Sequence, residues 1–143
     1  QCLIGKAEHY VLGQKPYEAS ETFETSASTS KPRFTRFNER RKATKEMQTC
    51  AASYSWLSNA AKMNTYLMRH AWKKYTAPML IIQAEQDDYV WTSQIQKFAD
   101  KIKKHGIAEC EYLYLSETKH ETYSSNDETM DKYINKILAF FQK

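Results

Sequence analysis

The spacing of apolar and polar positions divides this chain near Thr76-Ala77-Pro78. Downstream, Met79 to Ala84 forms a short continuous apolar run, the pattern of a strand covered on both faces in a parallel sheet. Ile95, Phe98, Ala99 and Ile102 then recur at helical spacing. Ser93-x-x-Gln96 reads as a capping box at the start of that helix and Gly106 as its terminating glycine. From Glu109 to Leu115 the period falls to two, with Cys110, Tyr112 and Tyr114 alternating against Glu111, Leu113 and Leu115. A second capping box, Ser125-x-x-Glu128, opens a last helix with an apolar face of Met130, Tyr133, Ile134, Ile137, Leu138 and Phe141. Strand, helix, strand, helix predicts a parallel pair joined by a right-handed crossover. Two parallel strands do not bury both faces alone, so further strands are expected beside them.

Residues 1–76 carry weaker periodicity. Glu18 to Lys31 is polar and rich in Ser and Thr, a loop by composition. Pro32 to about Gln48 carries Arg33, Arg36, Arg40, Arg41, Lys42 and Lys45, and a helix there places Phe34 and Phe37 on one face. From Tyr54 to Lys74 the positions Leu57, Ala60, Ala61, Asn64, Leu67, Met68 and Ala71 follow the helical period.

Composition adds limits. The chain has 143 residues, the size of one domain, and 41% are apolar. A net charge of +4 permits peripheral contact with an anionic membrane without requiring it. Cys2, Cys50 and Cys110 are odd in number and far apart, so neither a disulfide framework nor a zinc site is expected. No cofactor or metal is expected either; His9, His70 and His105 have no matched ligands and read as surface or packing residues. Without an apolar run of membrane-spanning length or a secretory signal, the expected location is cytoplasmic, at most peripheral to the inner membrane. The opening Gln1-Cys2-Leu3-Ile4 reads as if cut from something longer.

Candidate chemistry sits where the strands end. Asp87 follows the first apolar run and His120 the second, with a helix between. Both then lie at the carboxyl edge of a parallel sheet, where α/β proteins bind ligands. Asp followed by His is the second half of the Ser…Asp…His order of α/β-hydrolases. Taken alone, an Asp after a strand is often a turn device, and a lone His is more often a surface residue than a base.

The stretches Pro78-Met79-Leu80-Ile81-Ile82-Gln83-Ala84-Glu85-Gln86-Asp87-Asp88-Tyr89-Val90, Lys119-His120-Glu121 and Ile137-Leu138-Ala139-Phe140-Phe141 resemble the C-terminal part of α/β-hydrolases. Within that fold they are most similar to bacterial lysophospholipase and monoacylglycerol-lipase-like serine hydrolases. Ser30 to Phe37 and the helix at Trp56-Leu57 resemble the cap of that family. The resemblance implies a partial α/β-hydrolase fold, with 1–76 a helical cap or lid and 77–143 the C-terminal half of the core. It implies a serine carboxylic-ester hydrolase acting on a lysophospholipid or monoacylglycerol. Asp87 is then the triad acid and His120 the general base. Asp88 competes for the acid's role; Asp87 is preferred because the family's acid stands four residues after the Gln that closes the strand, here Gln83. Leu57, Met63, Tyr66 and Leu67 are candidates for the wall of an acyl slot.

The family's nucleophile is a serine in a Gly-x-Ser-x-Gly elbow. Gly5, Gly13 and Gly106 are the only glycines, and none frames a serine in that way. The isolated chain is therefore expected to be inactive, with the N-terminal half of the hydrolase core as its missing partner. Two other classes remain open. One is a non-catalytic module using the basic 31–45 run on nucleic acid or an anionic surface, although no recognised nucleic-acid module is present and nucleic acid is not expected as a partner. The other is a different α/β-hydrolase chemistry, such as peptide, thioester or haloalkane cleavage, since fold does not fix substrate.

Overall fold

A computed structural model describes residues 5–106 and 108–143, so Cys2 lies outside the described residues. Helix α1 spans Lys31–Ala43 and α2 spans Tyr54–Arg69. Strand β1 (Met79–Gln86) leads through α3 (Thr92–His105) into β2 (Cys110–Lys119), and α4 (Asp127–Phe141) closes the chain. Short 3₁₀ turns occur at Lys45–Met47, Ala71–Lys73 and Thr122–Ser124. The basic helix ends before Gln48, and the Tyr54 helix stops at Arg69 with a separate turn beyond it, so both are shorter than their periodicity predicts.

The strands pair in parallel, from Met79 opposite Cys110 to Ala84 opposite Leu115. Helix α3 crosses between them, as strand–helix–strand order requires. Ala99 and Ile102 of α3 are buried, together with Ala84 of β1 and Leu115 of β2. Gly106 ends α3 in the left-handed conformation at φ 59°, its N–H donating to the carbonyls of Ile102 and Lys103. Gln83 is buried within β1, where its side-chain oxygen accepts from the Tyr112 hydroxyl at 2.5 Å.

Both predicted capping boxes are displaced. Ser93 lies inside α3, whose N-cap is Trp91 with no side-chain cap bond. At α4 the cap is Asn126, whose Oδ1 accepts from the Thr129 N–H at 2.9 Å. Ser125 is instead buried, and its carbonyl accepts from Arg33. Losing an N-cap side chain of this kind costs ~1 kcal/mol. Asn126→Ala is therefore expected to lower the unfolding free energy by about that amount, read by urea titration, whereas Ser93→Ala leaves it within about 0.5 kcal/mol.

A strand covered on both faces does not result. Met79 to Ile82 are only half-buried, because among the described residues β1 has one neighbouring strand and no second layer of strands beside it. For the same reason α2 and α4 bury none of their residues fully, despite amphipathic patterns. Leu57, Met63, Tyr66 and Leu67 on α2 are all exposed, as are Ile134, Leu138 and Phe141 on α4. Phe34 and Phe37 of α1 part company: Phe34 is buried with its ring centroid 5.9 Å from Phe23, while Phe37 is exposed. No helix among the described residues is long and apolar enough to cross a membrane.

Residues before α1 do more than connect. Ser28 is buried, and its hydroxyl donates to the Ser124 carbonyl at 2.7 Å. The N–H groups of Thr29 and Ser30 donate to that same carbonyl. The segment ahead of α1 is thereby fastened to the loop that follows β2.

Candidate active site

β1 and β2 end side by side, and each delivers one candidate residue to that rim. The His120 Nδ1 lies 3.0 Å from Asp87 Oδ1 and 2.9 Å from Oδ2. An ionised carboxylate only accepts, so in the neutral ring Nδ1 carries the proton and Nε2 keeps a free lone pair. Nε2 is then the atom able to accept a proton from a hydroxyl. The Asp87 side chain is 7% exposed and the His120 side chain 43% exposed, so the carboxylate is sheltered and the ring accessible.

The Asp87 carboxylate is held by its own loop. Its Oδ1 also accepts from the N–H groups of Tyr89 and Val90, each at 2.9 Å. That Asx-type turn explains why an Asp stands there: a short acceptor bonds the backbone two and three residues on. Burial pushes the Asp87 carboxyl up, but the His120 hydrogen bond, the two backbone N–H groups and the imidazole charge outweigh it and hold the group below its usual range. The sign of the pH effect follows. A carboxyl depressed in the folded state stabilises that state fully above its unfolded value, about 3.9, and stops doing so as pH falls through the lower folded value. Carbon-detected NMR titration of Asp87 is expected to show a midpoint below 3.9, with the Asp87–Val90 turn opening on further acidification; a midpoint at or above 3.9 contradicts the geometry.

Asp88, the competing acid, is exposed and lines a small recess with Gln86, Tyr89 and Lys119; the bond to the imidazole goes to Asp87. Tyr89 escaped the sequence reading. Its ring centroid lies 4.9 Å from that of His120, and it lines two clefts together with the imidazole. On one side is a polar cleft of about 550 Å³ with Tyr17, Glu21, Arg41, Cys50 and His120 in its wall. On the other is an apolar one of about 700 Å³ lined by Val11, Ala51, Ala52, Trp56 and Leu57.

The proposed acyl wall is divided by this arrangement. Leu57 borders the apolar cleft, whereas Tyr66 faces a separate shallow recess with Ala61, Lys62, Thr65 and His70. Met63 and Leu67 lie on the same helix and border neither. The basic face of α1 is partly occupied by structure. Arg33 pairs with Asp127 at 2.7 Å, and Arg41 pairs with Glu21 at 3.0 Å while lying over the Tyr17 ring.

Two further contacts hold the residues on either side of His120, and no sequence pattern announces them. Lys119 Nζ donates to the Ser26 carbonyl at 2.9 Å, and the Glu121 N–H donates to the Ala27 carbonyl at 3.1 Å. The other histidines stand apart: His105 packs on Trp72 with centroids 4.3 Å apart, and His70 lies against Tyr66. Cys110 is half-buried on β2, and burial pushes its thiol up. A low-pKa thiol nucleophile is thus not provided there.

The sequence model of the prolyl oligopeptidase family, Peptidase_S9, matches residues 19–143. That span includes both strands, the Asp87 turn and the His120 loop. No curated protein and no solved structure matches the chain.

Proposed function

This chain belongs to the prolyl oligopeptidase family, an α/β-hydrolase-type family of serine peptidases, and on that footing we propose that Asp87 and His120 are the acid and base of a serine hydrolase. The observation that carries the reading is the Nδ1–carboxylate contact at 2.9 Å, on adjoining strand ends of a parallel pair. His120 Nε2 takes the proton of an attacking serine as its oxygen bonds to the substrate carbonyl. Asp87 fixes the ring's tautomer and stabilises the imidazolium that forms. Nε2 then returns the proton to the leaving group as the scissile bond breaks, and water repeats the cycle on the acyl-enzyme. The sequence contains no Gly-x-Ser-x-Gly elbow, so the reading requires the attacking serine from another segment.

For the substrate, the family match favours a peptide bond. A second reading is the ester of a lysophospholipid or monoacylglycerol. It is favoured by the apolar cleft beside Trp56 and Leu57, whose wall includes Tyr89, the ring 4.9 Å from the imidazole, and which offers an acyl chain a place to lie. The same catalytic pair serves both, because amide and ester hydrolysis share the tetrahedral intermediate.

The test joins this chain to an elbow-bearing segment of a family member and assays three substrates: a peptide p-nitroanilide, a monoacylglycerol and a lysophospholipid. The peptide reading expects turnover of the anilide above both lipids; dominance of either lipid transfers the assignment to the ester. A fluorophosphonate probe reads the serine without assuming a substrate. Labelling no faster than in the His120→Ala variant would overturn the proposal altogether.

A further inference from the structure

Beyond Asp87, the loop bearing His120 depends on a second carboxylate. Between the pairs Ala84–Leu115 and Gln86–Lys119, β1 advances two residues while β2 advances four. β2 therefore bulges immediately before His120. Within the bulge Glu117 adopts φ 53°, the left-handed region that a residue with a Cβ enters at a cost. Such a conformation persists only where surrounding contacts enforce it. The contact here is Glu85, across the strand pair: its Oε2 accepts from the Glu117 N–H at 2.7 Å. That backbone bond, with the Tyr114 hydroxyl as a second donor, also holds the Glu85 carboxyl below its usual range.

We propose that Glu85 is a positioning residue: by clamping the Glu117 N–H it sets the bulge that carries His120 over Asp87. Glu85 is two residues from the acid and Glu117 three from the base. One hydrogen bond thus spans the two strands close to the residues they deliver. Without it, β2 is free to leave the left-handed conformation and resume regular pairing, and each residue of register regained moves the strand about 3.3 Å. Displacement by that distance takes Nδ1 out of hydrogen-bond range of the carboxylate. Glu85 itself is exposed and touches no reacting atom, so its role passes through the bulge.

The inference rests on the Asp87–His120 pairing, and its test needs no turnover, so it fails separately from the hydrolase reading. Long-range ¹H–¹⁵N correlation spectra of the full chain report which imidazole nitrogen of neutral His120 is protonated. The native chain is expected to show the Nδ1–H form. Glu85→Ala loses it and takes up the Nε2–H form that a free imidazole prefers, while Glu85→Gln, which keeps an acceptor of the same reach, retains Nδ1–H. Adding Glu117→Gly to Glu85→Ala restores Nδ1–H, because glycine occupies positive φ without the cost. Should the alanine variant fail to fold, Glu85→Asp replaces it, with charge kept but reach shortened, and the same loss is expected. A folded Glu85→Ala or Glu85→Asp chain that keeps the Nδ1–H form overturns the proposal, and so does a Glu85→Gln chain that loses it.

Discussion

Asp87→Asn, in a protein that supplies the elbow serine, is expected to lower kcat on the order of 10⁴-fold while leaving KM nearly unchanged. The asymmetry follows from which atoms Asp87 uses. Its Oδ1 accepts from Tyr89 and Val90, and an asparagine oxygen accepts those same two bonds. The turn therefore survives. Oriented by that turn, the new amide presents its NH₂ toward His120 in place of Oδ2. That donor facing Nδ1 competes with the shared Oδ1, 3.0 Å away, and favours the tautomer protonated on Nε2, in which the ring does not receive a proton from a serine. His120→Ala removes the proposed base outright and is expected to be at least as damaging. Asp88→Asn is the control: it changes a neighbouring carboxylate that does not reach the ring and is expected to cost less than about threefold, within the scatter of surface substitutions. A large loss for Asp88→Asn with normal turnover for Asp87→Asn would hand the acid's role to Asp88.

Both members of this pair were legible because each stands just past a strand whose pattern is hard to mistake. Met79 to Ala84 has no polar residue except Gln83, and Gln83 is satisfied by Tyr112. Strand β2 could be read from its two-residue alternation as far as Leu115, although it runs on to Lys119. What hid its last four residues is the bulge: Ser116, Glu117 and Thr118 are polar, and the left-handed Glu117 breaks the alternation on which a sequence reading depends. Glu85, Ser26 and Ala27 were invisible for a related reason. Their parts are played by a backbone-directed carboxylate and two main-chain carbonyls, which leave no periodic trace.

Capping misled for another reason. Ser-x-x-Gln and Ser-x-x-Glu are patterns that local chemistry permits wherever a helix starts nearby, and tertiary contacts choose among the candidates. Ser125 is taken into the buried contact with α1, leaving the cap to Asn126. The α2 reading shows the converse limit. Its helical period is real, but a period tells which face is apolar and not whether anything covers it. Leu57 borders an apolar cleft that also has Tyr89 in its wall, while Met63, three-fifths exposed on the same helix, does not.

Ile102→Ala is expected to cost about 2–5 kcal/mol of stability. Ile102 is 0% exposed and is the largest fully buried side chain among the described residues. It sits on α3 where the helix covers the strand pair, beside Ala99. Deleting its branches removes apolar area and leaves a cavity that the sheet, tied by its own hydrogen bonds, closes only in part. Against a typical total of about 5–15 kcal/mol, such a loss leaves little margin, and other fully buried apolar residues are few. The consequence reaches the rim of the sheet. Helix α3 begins at Thr92, two residues after the Val90 N–H that holds Asp87, so a loosened helix loosens the Asp87 turn. Urea denaturation followed by circular dichroism measures the stability, and the ¹⁵N state of His120 in the still-folded population measures the geometry. Leu12→Ala, at a position 90% exposed, is the comparison and is expected to stay within about 0.5 kcal/mol. Equal shifts for the two variants would mean that α3 is not docked on the strands, and the register that brings Asp87 to His120 would then lack its support.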